Sequence, residues 1–331
     1  MDFDFLFRNF ADLTITGLAL GSVYALVALG YTMVYGVLQL INFAHSEVFM
    51  YGTMAAAFAV IALGGAATTS TGAAIGMLLV ALVAAMLVSG GVALLVERFA
   101  YRPLLNRNAP KLVALISAIG MSFFLAEAMG LRDKITAWFG LDDNLEPYVG
   151  RARNVVPLPD VVDPVGVFDI GGYTVTSIDL LVIGGALVMM VGVDQFIRRS
   201  RLGRGIRSVA QDPESAALMG VNSTRVVQLT FLIGGLMAGA AAFLYILRIG
   251  ATRYDVGFIL GVKAFTAAVL GGIGNLRGAL AGGLILGVAE NWGSAVFGTQ
   301  WKDVVAFVLL VLILMFRPTG LLGEALGKAR A

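Results

Sequence analysis

Nine apolar runs, each close to the length that crosses a hydrocarbon core of ~30 Å, leave this chain few choices of fold. They fall at residues 13–35, 48–63, 72–96, 112–131, 178–197, 226–247, 257–274, 278–296 and 301–316. Lipid offers no partner to a backbone N–H or C=O, so each run must close its own hydrogen bonds as a helix. The expectation is an all-α polytopic membrane protein with eight or nine transmembrane helices, some of them broken, forming a single transmembrane domain over residues 1–331. Composition agrees: 59% of residues are hydrophobic and 13% charged, far from a soluble domain. The opening MDFDFLFRNF is acidic where a signal peptide needs a positive start, so the first run is expected to stay in the mature protein.

Lysine and arginine set the expected orientation, because loops kept on the cytoplasmic side carry their excess. Arg98, Arg102, Arg107 and Lys111 follow the third run; Arg198, Arg199, Arg201, Arg204, Arg207 and Arg225 mark a long loop at 198–225; Arg317, Lys328 and Arg330 mark the tail. All three regions read as cytoplasmic. The segment 132–177 carries Asp133, Asp142, Asp143, Glu146, Asp160, Asp163 and Asp169 against four basic residues, including Arg151 and Arg153, and reads as extracytoplasmic. Nine crossings with the N-terminus outside satisfy these constraints. Trp292, Phe297 and Trp301 then fall where an outer aromatic belt belongs. Within the outer segment, residues 167–170 and 173–176 flank Gly171-Gly172, a two-residue hairpin signal.

The loop at 198–225 contains one strongly punctuated helix. Asp212 suits the N-cap, Pro213 the first helical position and Gly220 a left-handed stop, which predicts a helix over 213–219. Glu214 favours its N-terminal end, and Ala216, Ala217, Leu218 and Met219 form an apolar patch. Two readings stand: a helix resting on water or lipid, and a handle for a protein partner.

Glycine is the packing residue, with 42 in the chain. The pairs Gly17/Gly21, Gly235/Gly239, Gly257/Gly261, Gly278/Gly282 and Gly283/Gly287 are spaced four apart, which lets helix backbones approach closely. Gly271, Gly272, Gly274 and Asn275 form a helix-breaking run, either an irregular loop lining a pathway or a turn between two spans. It is no dinucleotide fingerprint, since Arg277 replaces the last glycine, and no phosphate-binding G-x-x-x-x-G-K-[ST] occurs. The chain is therefore not expected to hydrolyse ATP.

Ionisable residues within spans are costly and are functional candidates by default, which singles out Lys263, Glu127 and Glu290. Lys263 can also be read as snorkelling, and Glu127 lies near an outer end. Asn42, His45, Ser46 and Glu47 crowd the junction of the first two spans. Either Ser46 or Asn42 caps the second helix, or the cluster sits where a helix breaks inside the protein. With no cysteine and one histidine, a thiolate or imidazole zinc site is excluded, and no nucleophilic constellation is visible. A net charge of +2 gives no reason to expect nucleic acid. An ion-coupled carrier or passive channel remains an alternative class; an intramembrane enzyme is a poor one.

Residues 17–52, GLALGSVYALVALGYTMVYGVLQLINFAHSEVFMYG, carry a resemblance. With SAIGMSFFLAEAMG from Ser117, QDPESAALMGVN from Gln211 and GVKAFTAAVLGGIGNLRGALAGGLILGVAE from Gly261, the chain resembles the permeases of branched-chain amino acid ABC transporters, in particular the LivH-like half. The resemblance implies a multi-pass permease of the bacterial cytoplasmic membrane without a cofactor of its own. It would pair with a second related permease and receive its cargo from an extracytoplasmic binding protein. Two cytoplasmic ATPase subunits would bind the ATP. Its docking site on them would comprise Arg204, Arg207, Asp212, Pro213, Glu214, Ala217, Leu218 and Gly220. Asn42, His45, Ser46, Glu47, Lys263 and the glycine run with Asn275 are the expected lining of the path. Related permeases are associated with urea or short amides, so the cargo stays open at this point. Where the family usually has glycine after the histidine of INFAH, this chain has Ser46.

Overall fold

The computed structural model describes residues 3–66, 70–107, 109–141, 148 and 152–323. The expected acidic positions Asp142, Asp143 and Glu146, with Arg151, Lys328 and Arg330, lie outside the described residues. In chain order the helices are α1 (Phe3–Arg8), α2 (Phe10–Leu38), α3 (His45–Ala62), α4 (Thr71–Val96), α5 (Arg102–Leu105), α6 (Lys111–Gly130) and α7 (Arg132–Trp138). After the outer segment come α8 (Ser177–Arg199), α9 (Arg201–Gln211), α10 (Pro213–Leu218), α11 (Ser223–Ile249), α12 (Val256–Gly271), α13 (Leu276–Phe297) and α14 (Lys302–Phe316). Seven helical stretches among the described residues are long and apolar enough to cross a membrane, and α12 is a shorter apolar helix. The remaining expected span coincides with α3, whose first turn holds His45, Ser46 and Glu47. The protein is an all-α polytopic membrane protein.

Two compact units divide the chain. The first comprises the described residues within Met1–Gln39, Val165–Thr230 and Val262–Ala331; the second comprises those within Leu40–Pro164 and Phe231–Gly261.

In the first unit α2 packs along α13 through facing glycines. A Cβ on Gly21 would stand 2.7 Å from the Gly283 carbonyl oxygen, and one on Gly17 would stand 2.8 Å from the Gly287–Val288 backbone. Trp292 closes this contact at one end, its indole N–H donating to Thr14 Oγ1 at 3.1 Å and its ring lying 5.1 Å from that of Phe10. The expected hairpin forms from β2 (Gly166–Ile170) and β3 (Tyr173–Thr176), with Ile170 opposite Tyr173. Gly171 and Gly172 both take positive φ, +56° and +86°, as a two-residue hairpin loop of this kind requires. The strand runs directly into α8: Thr176 Oγ1 accepts from Asp179 N, and the Asp179 carboxylate accepts from Thr176 N, closing a capping box.

In the second unit α11 lies against α4 through Gly235, where a Cβ would meet the Ser89 carbonyl oxygen at 2.8 Å. Ser89 Oγ donates to the Val48 carbonyl of α3 at 2.9 Å. β1 (Val156–Pro157) pairs with β4 (Ala251–Thr252), and Thr252 and Thr53 share a hydroxyl hydrogen bond of 2.6 Å. The π-helical turn Glu97–Tyr101 extends α4 and swings Tyr101 into the interior.

Replacing Gly21 by valine inserts three carbons against the α13 backbone, so the expected loss is about 1–3 kcal/mol of stability. Thermal unfolding of the detergent-solubilised protein measures it, and an unchanged midpoint would show that this backbone approach is dispensable.

Candidate functional site

The basic segment holds two helices where the sequence announced one. Ser200 Oγ accepts from Gly203 N at 2.8 Å and starts α9, whose Gly203, Ile206 and Val209 are buried. Gly203 and Gly205 obscure this helix in the sequence, because glycine is a poor helix former. Here Gly203 is required by its contact with the Ile197 carbonyl, which leaves no room for a side chain. The Arg207 guanidinium donates to that same carbonyl at the end of α8, so Arg207 holds α9 against the preceding helix. Arg204 points to the exposed side.

Asp212 caps α10 as expected: Oδ1 accepts from Glu214 N at 3.0 Å and from Ser215 N at 3.2 Å, and Oδ2 accepts from the Ser215 hydroxyl. The helix ends with Met219 N bonded to Ser215 O, and Gly220 takes φ +84°. Ala216 is buried, while Leu218 and Met219 are 89% and 85% exposed. Glu214 and Ala217 share the exposed surface. Two large apolar side chains at the tip of a well-capped helix form a small, rigid projection.

A second candidate lies in the interior of the second unit, at the start of α3. Neither Asn42 nor Ser46 caps this helix: Ala44, which has no side-chain acceptor, occupies the N-cap, and Ser46 lies inside the first turn with its hydroxyl donating back to the Phe43 carbonyl at 2.7 Å. Asn42, His45, Ser46 and Glu47 are all buried. Tyr101 Oη lies 3.2 Å from the Ile41 carbonyl and 3.3 Å from Asn42 Oδ1. Ser122 Oγ donates to Glu47 Oε1 at 3.3 Å. The first turn of α12 rests on this cluster. A Cβ on Gly257 would lie 2.6 Å from the Ser46 carbonyl and 2.7 Å from Glu47 Oε2, and Gly261 leaves room for the Ser46 side chain. Ser46 is thus accommodated by a glycine opposite it. Asn42 Nδ2 and Glu47 Oε2, one donor and one acceptor, are buried without a hydrogen-bond partner among the described residues.

The third cluster, in the first unit, was only half visible in the sequence. Lys263 of α12 pairs with Glu290 of α13, and its Nζ lies 2.7 Å from Asp303 Oδ1 at the start of α14. The ammonium also stands 5.9 Å from the centroid of the Tyr24 ring. Lys263 and Glu290 were singled out by their cost inside a span, but nothing in the spacing joins them to Asp303 or Tyr24. The buried Glu97 pairs with the partly exposed Arg102, a contact that sequence reasoning missed, since Arg102 reads there as ordinary loop charge. Glu127, by contrast, makes an exposed ion pair of 2.7 Å with Arg153.

The glycine run is a turn between α12 and α13. Gly272 and Gly274 take φ near +100°, and Asn275 Oδ1 caps α13 by accepting from Arg277 N and Gly278 N. The segment after α14 covers this turn: Leu321 N and Leu322 N donate to the carbonyls of Leu270 and Gly271, and Asn275 Nδ2 donates to Leu322 O. No group of three or more metal-ligating side chains occurs among the described residues.

Helices long and apolar enough to cross a membrane, with polar clusters in the interior, define a polytopic membrane protein. Residues 13–314 match the family described as branched-chain amino acid transport system / permease component, and the chain belongs to that family. It is 44% identical over 310 residues to the high-affinity branched-chain amino acid transport system permease protein BraD of Pseudomonas aeruginosa, covering 94% of each chain. It is 42% identical over 320 residues to the corresponding LivH protein of Escherichia coli K12, covering 96% of this chain and 97% of that one. A more distant likeness, 34% over 124 residues, links it to the fructose import permease protein FrcC of Rhizobium meliloti, over 35% of this chain and 34% of that one. No solved structure gives a significant match.

Two outcomes follow from the geometry. Removing Lys263 as methionine strands a buried carboxylate and should cost about 3–5 kcal/mol, whereas Lys263→Met combined with Glu290→Leu should recover most of it; thermal unfolding of single and double variants separates these. For Asp212, the hydrogen bond from the Ser215 hydroxyl and then those from backbone N–H groups hold the carboxyl below its ordinary range. Its cap is therefore complete above the ordinary carboxylate pKa and is lost as pH falls through the lowered one. Hydrogen exchange of the Glu214 and Ser215 amides, corrected for intrinsic rates, should stay protected at neutral pH and lose protection as pH falls below the ordinary carboxylate range. Asp212→Ala should remove that protection at every pH.

Proposed function

We propose that this chain is one of two related permease subunits of an ATP-driven importer in the bacterial cytoplasmic membrane, and that it carries branched-chain amino acids inward. The observation that carries the reading is the projection formed by Leu218 and Met219 on α10, inside the most basic segment of the chain. Positive loops stay in the cytoplasm, so α10 faces the compartment where ATP is bound by partner subunits. A rigid apolar tip suits insertion into a cleft of a cytoplasmic ATPase, with Arg204, Asp212, Pro213, Glu214, Ala217 and Gly220 shaping its surround and Arg207 fixing it to α8. Two ATPases, one under each permease, would then move the two helix bundles together. An extracytoplasmic binding protein would deliver cargo at the opposite face.

ATP performs work here through differential affinity: the closed ATPase pair binds one arrangement of the α10 tips better than the other, and the bundles follow. The chain needs no acid, base or nucleophile of its own. For the path, the junction Asn42 to Glu47 has the chemistry of a zwitterion contact, since the open donor of Asn42 complements a carboxylate and the open acceptor of Glu47 complements an ammonium. His45 and Ser46 belong to the same stretch. Lys263 is held by Glu290 Oε1 and Asp303, and Gly271, Gly272, Gly274 and Asn275 form the turn at the cytoplasmic rim, so these contribute shape more than recognition.

The test is reconstitution of this chain with its second permease and ATPases in vesicles, with the binding protein added outside. ATP-dependent uptake of radiolabelled leucine, isoleucine and valine is expected, with urea excluded. Leu218→Ser should lower copurification of the ATPases and uptake together, and Glu47→Gln should lower uptake while the ATPases remain bound. Leucine flux by the chain alone, independent of ATP, would overturn the reading in favour of a carrier or channel.

A further inference from the structure

At the end of α8 nearest the basic segment, a cavity of about 230 Å³ opens between α8 and the first turn of α13. Both elements belong to the first unit. Its walls are Met190, Val191 and Leu276 on the apolar side and Asp194, Gln195 and Arg277 on the polar side. Asp194 is the only carboxylate among these lining residues, and it is largely buried. It accepts a hydrogen bond of 2.9 Å from Arg198 Nε, and its second oxygen lies 3.9 Å from Arg277 Nη2, too far for a hydrogen bond. One negative charge thus sits between two guanidinium groups that remain 53% and 63% exposed. A guanidinium carries five N–H donors, so Arg198 and Arg277 keep most of theirs for another acceptor.

The apolar side continues outward. Leu187, Val188 and Val191, all exposed, form a strip running from the cavity along α8 into the apolar length of the span. A ligand fitting both sides must have an anionic head for two arginines and hydrocarbon to lie along that strip. It must also reside where a spanning helix leaves the hydrocarbon, which is the level of lipid head groups. A free anion would satisfy only the first requirement.

We infer that the α8–α13 cavity binds an anionic glycerophospholipid, its phosphodiester between Arg198 and Arg277 and an acyl chain along Val191, Val188 and Leu187. Asp194 orients the Arg198 guanidinium and lowers the local charge, which favours a singly charged phosphodiester over a more highly charged one. The lipid joins the end of α8 to the start of α13, next to the helices that lead into α9 and α10.

Native mass spectrometry of the complete transporter, released from vesicles of equal phosphatidylglycerol and phosphatidylcholine, tests this. The wild type should retain phosphatidylglycerol in preference to phosphatidylcholine. Arg277→Gln should weaken that preference about fivefold, the effect of removing one cation at a membrane surface. Arg153→Gln, which removes a cation paired with Glu127 elsewhere, should leave it unchanged. Val191→Asn should shorten retention while keeping the headgroup preference, as an acyl contact requires. Equal retention of the two lipids, an unaltered preference in Arg277→Gln, or displacement by millimolar inorganic phosphate would each overturn the proposal. Matching melting temperatures of the variants exclude misfolding as the cause of a loss.

Discussion

The close approach of helix backbones at glycine is the contact on which the rest of this structure depends. Between helices in lipid there is no hydrophobic gain to be had, because the surrounding chains are as apolar as leucine. Cohesion must come from dispersion at short range, and short range demands that side chains be absent. Gly17 and Gly21 against Gly283 and Gly287 supply this for α2 and α13, and Gly235 supplies it for α11 against α4. Gly257 and Gly261 do the same for α12 over the start of α3. A leucine at these positions would add apolar surface and remove the contact.

Once backbones are that close, polar side chains in the interior are isolated from water and must answer to one another. Two solutions occur. In the first unit, Lys263 is shared by Glu290 and Asp303, so three helices are joined by charges that cannot be separated cheaply. In the second unit, Glu47 is met only by hydroxyl groups, and one of its oxygens remains open. The first arrangement is suited to holding helices together.

The basic segment shows how a small projection is made stiff. α10 has six residues, too few to be stable alone, so its order comes from its ends: Asp212 on one side and Gly220 on the other. α9 is held to α8 by Arg207 and by the contact at Gly203. Leu218 is therefore tied to the spanning helix α8 through a continuous chain of local hydrogen bonds.

Some of this was readable without coordinates, because local chemistry decided it. The length of each apolar run demanded a helix; Gly171-Gly172 admitted a hairpin; Asp212, Pro213 and Gly220 bounded α10; and glycines four apart marked the faces where helices meet. Other features were set by residues distant in the chain. Ser46 spends its hydroxyl on Phe43 and faces Gly261, so its reading as a cap failed, and α9 stayed hidden because its glycines are explained only by contact with the end of α8. The sequence marked Lys263 and Glu290 as costly, yet could not supply Asp303 or Tyr24. Helix periodicity and turn chemistry depend on neighbours a few residues away, so the sequence by itself determined the elements. Which buried charges meet, and which remain open, depends on contacts across tens to hundreds of residues, and only the tertiary structure decided them.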